Sequence, residues 1–428
     1  MTLIYTLLAF GIMIFIHELG HFLVARAFGV GIEKFSIGFG KPIKEWKRKG
    51  VVWRLGWIPL GGYVKMKGEN PDEAGEGGDG AFQKKPWWQK VLIGLSGPFA
   101  NLLLGLLLFI VSFMLPIQME DQRPVIQRAE GKWADVFSPG DSLVSMNGKP
   151  IKGYGDFLEN LLIDGGGTAV LQRDSVTVSI PVSGAEAESL AMSVYPVAEA
   201  RIGEVVPKTP AYLADLKPGD LITKVDSVEV GDWYAMREKV INSPDDSVLL
   251  TIERDSEEFT RSVKLESSLA TGAERAIGII QAQPVRYTQR FDPLEALELG
   301  THNTASFITT NYRMLFELVK RPSELGRSVG GPVMIVTLGQ QIARKGFGRL
   351  LLFFGSISLI LMIMNLLPIP ILDGGLILFA IIEGVIRRPI PANIQSILQS
   401  IGFFILLTIM FFAFYGDISS LVLRSIVR

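Results

Sequence analysis

Long runs of apolar residues divide the chain into parts suited to lipid and parts suited to water. Two runs lie early, at about 3–28 and 91–117, and two lie at the end, at about 350–383 and 389–423. A helix needs roughly 20 apolar residues to cross about 30 Å of hydrocarbon, and each run is long enough. The pattern predicts an α-helical polytopic membrane protein with four transmembrane helices.

The stretch between the second and third runs has a different pattern, and that pattern repeats. Ser138–Phe157 (SPGDSLVSMNGKPIKGYGDF) aligns with Lys217–Met236 (KPGDLITKVDSVEVGDWYAM), and the Pro-Gly-Asp starts are 79 residues apart. Each copy contains a Pro-Gly turn, an alternating apolar strand, a second turn and a helical stretch. We therefore predict two inserted β-rich modules, at about 118–196 and 197–288.

Two further segments complete the predicted order. Residues 289–349 have helical periodicity with scattered charges, which predicts an amphipathic helical connector near the bilayer surface. Residues 51–66 (VVWRLGWIPLGGYVKM) alternate and are rich in Val and Trp, which favours a β-strand with a break at Gly61-Gly62. The modules and connector would thus separate an N-terminal membrane part, 1–117, from a C-terminal one, 350–428.

Basic residues predict the orientation. The loop at about 28–90 carries an excess of Lys and Arg, and the turn between the last two runs holds Arg387 and Arg388. Positive residues stay on the cytoplasmic side, so both connections are expected there and the two modules across the membrane. A signal peptide is not favoured, because Met1-Thr2-Leu3 has no basic residue and the first run is interrupted by His and Glu.

Composition narrows the chemistry. The 428 residues are 48% hydrophobic with a net charge of −1 and a mean hydropathy of +0.33, so nothing global points to nucleic acid. The chain has no cysteine, which leaves His, Asp and Glu as metal ligands. It has three histidines; His302 lies alone in the polar connector, whereas His17 and His21 lie inside the first apolar run.

The segment His17-Glu18-Leu19-Gly20-His21 is an H-E-x-x-H motif within a predicted helix. Residues i and i+4 share a helix face, so both imidazoles can reach one ion while Glu18 lies beside it to hold a water. Each ionisable residue at membrane depth costs about 2.5–3.5 kcal/mol on insertion scales, and coordination offsets that cost. The motif therefore predicts an intramembrane metal site.

A catalytic zinc needs three protein ligands and an open position. Asn365–Gly375 (NLLPIPILDGG) offers a third ligand, since Asp373 is the only charged residue between 350 and 382. Pro368 and Pro370 interrupt the helical hydrogen bonds, so the irregular backbone there is expected to face protein or a cavity.

Other intramembrane chemistries fit less well. Gly94-Leu95-Ser96-Gly97 is similar to a rhomboid serine motif, but no further histidine lies in a span to activate the serine. An aspartyl protease needs two facing aspartates, and Asp373 has no deep partner. A membrane metal-binding or transport protein remains the alternative, although it has no use for Glu18 or for peptide-binding modules.

Together these motifs resemble the site-2 protease family of intramembrane zinc metalloproteases, in particular its bacterial RseP-type members with tandem PDZ domains. The resemblance rests on His17–His21, on Gly97–Asn101 (GPFAN), on Leu372–Gly375 (LDGG) and on the two Pro-Gly-Asp repeats, which are similar to PDZ domains. It implies that His17, His21 and Asp373 bind Zn²⁺ and that Glu18 is the general base. Asn101 is assigned a structural role, as a residue that forms an interhelical hydrogen bond.

The resemblance also implies how a substrate is held. Residues 51–66 match a membrane-associated β-hairpin that clamps the substrate as an extended strand. Relatives often have a second amide residue before Asn365, where this chain has Ile360. The implied substrate-binding residues are Asn365, Pro368, Pro370, Gly61, Gly62 and Tyr63.

The expected activity is hydrolysis of peptide bonds within transmembrane segments of single-span proteins, such as a membrane anti-sigma factor, and of remnant signal peptides. The PDZ-like modules would bind peptides or chain ends and screen substrates that were already trimmed. The expected location is a bacterial inner membrane, with the modules in the periplasm and the active site open to the cytoplasm.

Overall fold

The computed structural model describes residues 2–69, 78–266, 275–320 and 331–427. The chain divides into two compact units, Met1–Ile117 with Arg290–Tyr415 and Gln118–Gln289 with Gly416–Arg428. Within the described residues, four helical segments are long and apolar enough to cross a membrane: Leu8–Ala27, Trp87–Met114, Phe347–Asn365 and Ala392–Phe412. Each overlaps one of the four predicted runs.

The helices are α1 (Thr2–Ala27), α2 (Trp87–Met114), α3 (Tyr154–Ile163), α4 (Gly184–Ser193), α5 (Pro210–Leu213), α6 (Trp233–Ile241), α7 (Pro293–Lys320), α8 (Pro332–Arg344), α9 (Phe347–Asn365), α10 (Asp373–Ile386) and α11 (Ala392–Val427). The strands are β1 (Ile32–Arg48), β2 (Val51–Met66), β3 (Ile117–Asp121), β4 (Ile126–Ala129), β5 (Ser142–Met146), β6 (Lys149–Pro150), β7 (Gly167–Arg173), β8 (Val176–Val182), β9 (Val194–Pro196), β10 (Ile202–Val205), β11 (Leu221–Val225), β12 (Val228–Glu229), β13 (Ser247–Arg254), β14 (Glu257–Lys264), β15 (Ile279–Gln281) and β16 (Val285–Gln289).

Helix α2 is the centre of the first unit, because small residues let two other helices approach it closely. A Cβ added to Gly20 of α1 would lie 2.3 Å from the carbonyl oxygen of Ser96. A Cβ added to Gly105 of α2 would lie 2.7 Å from the Leu359 side chain of α9. Contacts of this kind place helix backbones side by side in a membrane protein, where packing replaces the hydrophobic effect.

The third apolar run is not one helix. Helix α9 ends at Asn365 and α10 begins at Asp373. Pro368 and Pro370 lie in the break, where each lacks the N–H that a continuing helix requires. The third span, placed at about 350–383, is therefore divided between two helices, and the irregular backbone expected at the two prolines is present. The break puts Asp373 on the first turn of a new helix.

The hairpin is larger than residues 51–66. These residues form the single strand β2, and its partner is β1, which the sequence did not reveal. The turn is at Lys49 and Gly50, whose φ angles of 50° and 80° suit a two-residue hairpin turn. The break predicted at Gly61, where φ is 118°, is a bend within the strand.

Both strands bend so that their halves form a sheet of four segments. Residues 34–37 pair with 62–65 in antiparallel register and with 52–55 in parallel register, and 44–48 pair with 51–55. The segments therefore follow the order 62–65, 34–37, 52–55, 44–48, with 62–65 at one edge. Phe35, Val64 and Met66 pack with Phe22 of α1 in one buried cluster, which fixes the sheet against the helix that carries the H-E-x-x-H motif.

The second unit contains two β-rich modules with the same strand arrangement. In the first, the sheet order is β6-β5-β7-β8 and β4 pairs with β9; in the second, it is β12-β11-β13-β14 and β10 pairs with β15. Each module has its own buried core. Strands β3 and β16, from the two ends of the inserted stretch, pair with each other, so they belong to neither module alone.

The repeated Pro-Gly-Asp motif forms the same ion pair in both modules. Arg173 donates to both carboxylate oxygens of Asp141, each at 2.7 Å, and Arg254 does the same to Asp220 at 2.6 and 2.7 Å. Burial alone would raise the pKa of Asp141, but the hydrogen bonds from Arg173 and from the Ser138 N–H lower it below the usual range. The motif therefore ties its turn to the end of a sheet strand.

Candidate metal centre and active site

Three side chains from two helices converge on one point. His17 Nε2 lies 3.1 Å from Asp373 Oδ2, His21 Nε2 lies 3.3 Å from Asp373 Oδ1, and the two Nε2 atoms are 3.3 Å apart. Ligands bound at about 2.0–2.1 Å around a tetrahedral zinc are about 3.3 Å from one another. The three side chains thus have the spacing of zinc ligands.

The surrounding hydrogen bonds also suit a metal. His21 Nδ1 lies 2.8 Å from the carbonyl oxygen of Ile93, which can only accept, so Nδ1 carries the proton and Nε2 keeps its lone pair. Asp373 Oδ2 is buried and, beyond its approach to His17 Nε2 at 3.1 Å, has no hydrogen-bond partner within the described part of the chain. Such an oxygen is costly unless a cation satisfies it. These residues therefore fit a zinc ion.

A cavity of about 220 Å³ adjoins the three ligands, and Glu18, Gly62 and Tyr63 also line it. Gly62 brings the edge of the sheet against α1, because a Cβ there would lie 2.9 Å from Glu18 Cγ and 2.8 Å from the Ser36 carbonyl oxygen. A residue with a side chain would displace one of these groups. The cavity thus places a carboxylate and a strand edge beside the candidate metal ligands.

The structure brings some predicted substrate-binding residues to this cavity and leaves others outside it. Gly62 and Tyr63 line the cavity. Asn365 does not line it, but its Nδ2 lies 3.5 Å from His17 Nε2. Pro368 and Pro370 form the break before Asp373 but do not line the cavity. Gly61 also lies outside the lining, in the bend of β2 against Phe39.

Two groups at the site were not predicted from the sequence. Asn101, assigned an interhelical hydrogen-bonding role, does contact another helix, with Nδ2 3.2 Å from His17 Nδ1. That its partner would be a candidate metal ligand was not predicted; the available signal was a buried amide in a charge-free span. Lys90 lines the cavity and forms an ion pair of 2.8 Å with Glu383, both nearly buried. This pair joins α2 to α10, and no sequence pattern connected its two members.

A profile of peptidase family M50 matches residues 5–409. The chain belongs to peptidase family M50. The regulator of sigma-E protease RseP of Escherichia coli (strain K12) is 30% identical over 97% of this chain and 98% of its own. Putative zinc metalloproteases of Neisseria meningitidis serogroup A and Xylella fastidiosa (strain Temecula1) are each 29% identical, over 98% and 96% of this chain and 99% and 97% of their own.

Membership in the M50 family decides between the two classes of protein that the residues alone left open, a protease and a membrane metal-binding or transport protein. Like these relatives, the chain is a zinc metalloprotease, and the resemblance to site-2 proteases is confirmed. A metal-transport role is no longer needed to account for histidines in a membrane span. The M50 assignment and the converging ligands agree on the metal.

Purified wild-type protein should hold one zinc per chain, and His17→Ala, His21→Ala and Asp373→Ala should each lose it, because a catalytic zinc needs three protein ligands. Metal content measured by mass spectrometry after dialysis against a weak chelator checks this. The control is His302→Ala, which removes an exposed histidine of α7 and should keep the metal. Zinc retained by the His21→Ala protein would contradict the ligand set.

Proposed function

We propose that this M50 protease cleaves peptide bonds within the transmembrane segments of single-span proteins. The proposal rests on the position of the candidate catalytic residues within an apolar helix. His17, Glu18 and His21 lie within the apolar segment Leu8–Ala27, and Asp373 meets them from the break between α9 and α10. A site at that depth serves substrates that are themselves in the membrane.

The chain's own residues divide the work of hydrolysis. When bound by His17, His21 and Asp373, zinc supplies a Lewis acid that activates water and polarises the scissile carbonyl. Glu18, which lines the same cavity, accepts the proton of the attacking water and passes it to the leaving amine. The Asn365 amide is close enough to the ligands to hold the substrate backbone beside them.

A transmembrane helix must unwind before it can be cut, because its amides are bonded within its own helix. Segment 62–65 is an edge of the four-segment sheet, and Gly62 lies against Glu18. We infer that the substrate adds to this edge as an extended strand, with main-chain hydrogen bonds replacing those of the lost helix. Gly62 and Tyr63 would then contact the substrate, and the bend at Gly61 would direct segment 62–65 toward the candidate metal site.

The two β-rich modules are proposed to be PDZ-like domains that screen substrates. Their shared strand order and separate cores support two copies of one small domain, and the candidate metal cluster among the described residues lies elsewhere, at His17, His21 and Asp373. They would bind peptides or chain ends that earlier trimming exposes. The basic loop between α1 and α2 supports an inner-membrane orientation with these modules in the periplasm and the active site open to the cytoplasm.

The natural substrate is proposed by analogy. One relative is named a regulator of sigma-E protease, and cleavage of a membrane-bound inhibitor of a sigma factor is an activity that would suit that name. We propose a single-span anti-sigma factor as the substrate class, with remnant signal peptides as a second class of the same chemistry.

Glu18→Gln should abolish cleavage of a single-span reporter while the protein keeps its zinc. The amide cannot accept the proton of the attacking water, and loss of general-base catalysis typically costs about 10²–10⁴-fold in rate. Cleavage is followed by gel shift in proteoliposomes, and zinc content is measured on the same preparation. Cleavage at the wild-type rate would refute the proposed role.

Gly62→Ala tests the strand edge. The added Cβ would meet Glu18 and Ser36 at less than 3 Å, so kcat/KM should fall by about tenfold or more, because small displacements of catalytic groups are costly. The matched control is Gly11→Ala on α1, where a Cβ meets nothing within 4 Å. Equal activity in both variants would argue against a substrate site at this edge.

A further inference from the structure

Helix α2 carries two residues, Gly97 and Asn101, that lie one turn apart and both face the histidine pair. Asn101 is 1% exposed, in a helix whose length and composition suit a membrane span. We propose that Asn101 is a positioning residue that orients His17 toward the zinc, while Gly97 leaves room for His21. The inference rests on the proposed ligand roles of the two histidines.

The contact between Asn101 and His17 is specific. The Asn101 side-chain amide lies 3.2 Å from His17 Nδ1, and its Oδ1 is buried without a partner among the described residues. The backbone of Asn101 is held from the other side, since the Ser358 hydroxyl of α9 donates to its carbonyl oxygen at 2.8 Å. Asn101 is thus fixed between the helix that carries His17 and the helix that ends at Asn365.

The chemistry of a ligand histidine decides which amide atom faces the ring. His17 offers Nε2 to the ion, so the neutral imidazole carries its proton on Nδ1 and needs an acceptor there. The oxygen and nitrogen of an asparagine amide exchange places by a half-turn of the terminal torsion. The orientation compatible with a bound metal therefore has Asn101 Oδ1 accepting from His17 Nδ1.

His21 shows the same arrangement with a different acceptor. Its Nδ1 donates to the Ile93 carbonyl oxygen at 2.8 Å, so both acceptors come from α2, two turns apart. Partners of this kind fix the tautomer and the ring orientation of metal-bound histidines. Helix α2 therefore supplies the acceptors that orient both histidines of α1.

Gly97 of the same helix leaves the space that the His21 imidazole occupies. A Cβ at this position would lie 2.2 Å from His21 Nε2 and 2.7 Å from Cε1, so any side chain would push away the nitrogen that binds the metal. Glycine in a helix interior destabilises the helix relative to alanine. The need for space beside the His21 imidazole explains why a glycine occupies this helical position.

Substitutions that separate volume from hydrogen bonding test the proposal. Asn101→Leu keeps the size of the side chain and removes the acceptor, whereas Asn101→Asp keeps the acceptor. Loss of an outer-shell partner typically lowers metal affinity 10- to 100-fold. We expect this loss for the Leu variant and a dissociation constant within about threefold of wild type for the Asp variant.

The measurement is the zinc dissociation constant of the full-length protein in detergent, obtained by competition with a chromophoric chelator. Thermal unfolding of the metal-free proteins serves as the fold control, and the Leu variant should melt within a few degrees of wild type. If the Leu variant does not fold, Asn101→Gln replaces it; this variant shifts the amide by one methylene and should also bind zinc at least about tenfold more weakly.

The outcomes separate this inference from the proposed site. A wild-type protein that binds no zinc would refute the ligand set, and the role of Asn101 with it. Wild type and Asn101→Leu that bind zinc equally would refute only the inference. An Asp variant as weak as the Leu variant would also overturn it, because the acceptor would then not be what matters.

Discussion

The architecture of the first unit depends on how three polar side chains are accommodated inside an apolar helix bundle. His17, His21 and Asp373 approach within 3.1–3.3 Å, and each alone would cost kilocalories at membrane depth. A shared cation would convert three unfavourable burials into one coordination site. Close helix packing and the break after α9 bring these three groups together.

Each supporting feature solves a separate steric or polar problem. The break places Asp373 at the start of α10, where its side chain reaches back to α1. Gly97 of α2 leaves the volume that an imidazole occupies, and Gly62 of β2 leaves the volume beside Glu18. A helix alone cannot present its backbone to a substrate, whereas the sheet edge can, so the combination of helices and strands suits cleavage of a chain that arrives as a helix.

The sequence predicted the residues of the candidate metal site because its signals were local or isolated: two histidines four residues apart, and one aspartate in an otherwise uncharged run. It did not reveal β1, since glycines, a proline and many charges in residues 32–48 obscure the alternation of a strand. The hydropathy of 350–383 indicated one span, and Pro368 and Pro370 indicated irregular backbone within it, but the start of a second helix at Asp373 was not predicted. Asn101 was expected to form an interhelical hydrogen bond, but its partner could not be identified because His17 lies 84 positions away, a distance that no local pattern spans.

Two imidazoles and one carboxylate are proposed to bind a single zinc within the membrane part. The decisive measurement is X-ray absorption at the zinc edge of the purified, detergent-solubilised protein. We expect two histidine nitrogens and one or two oxygens at about 2.0–2.1 Å, with no sulfur. A spectrum without imidazole scattering, or with six oxygen neighbours, would contradict it.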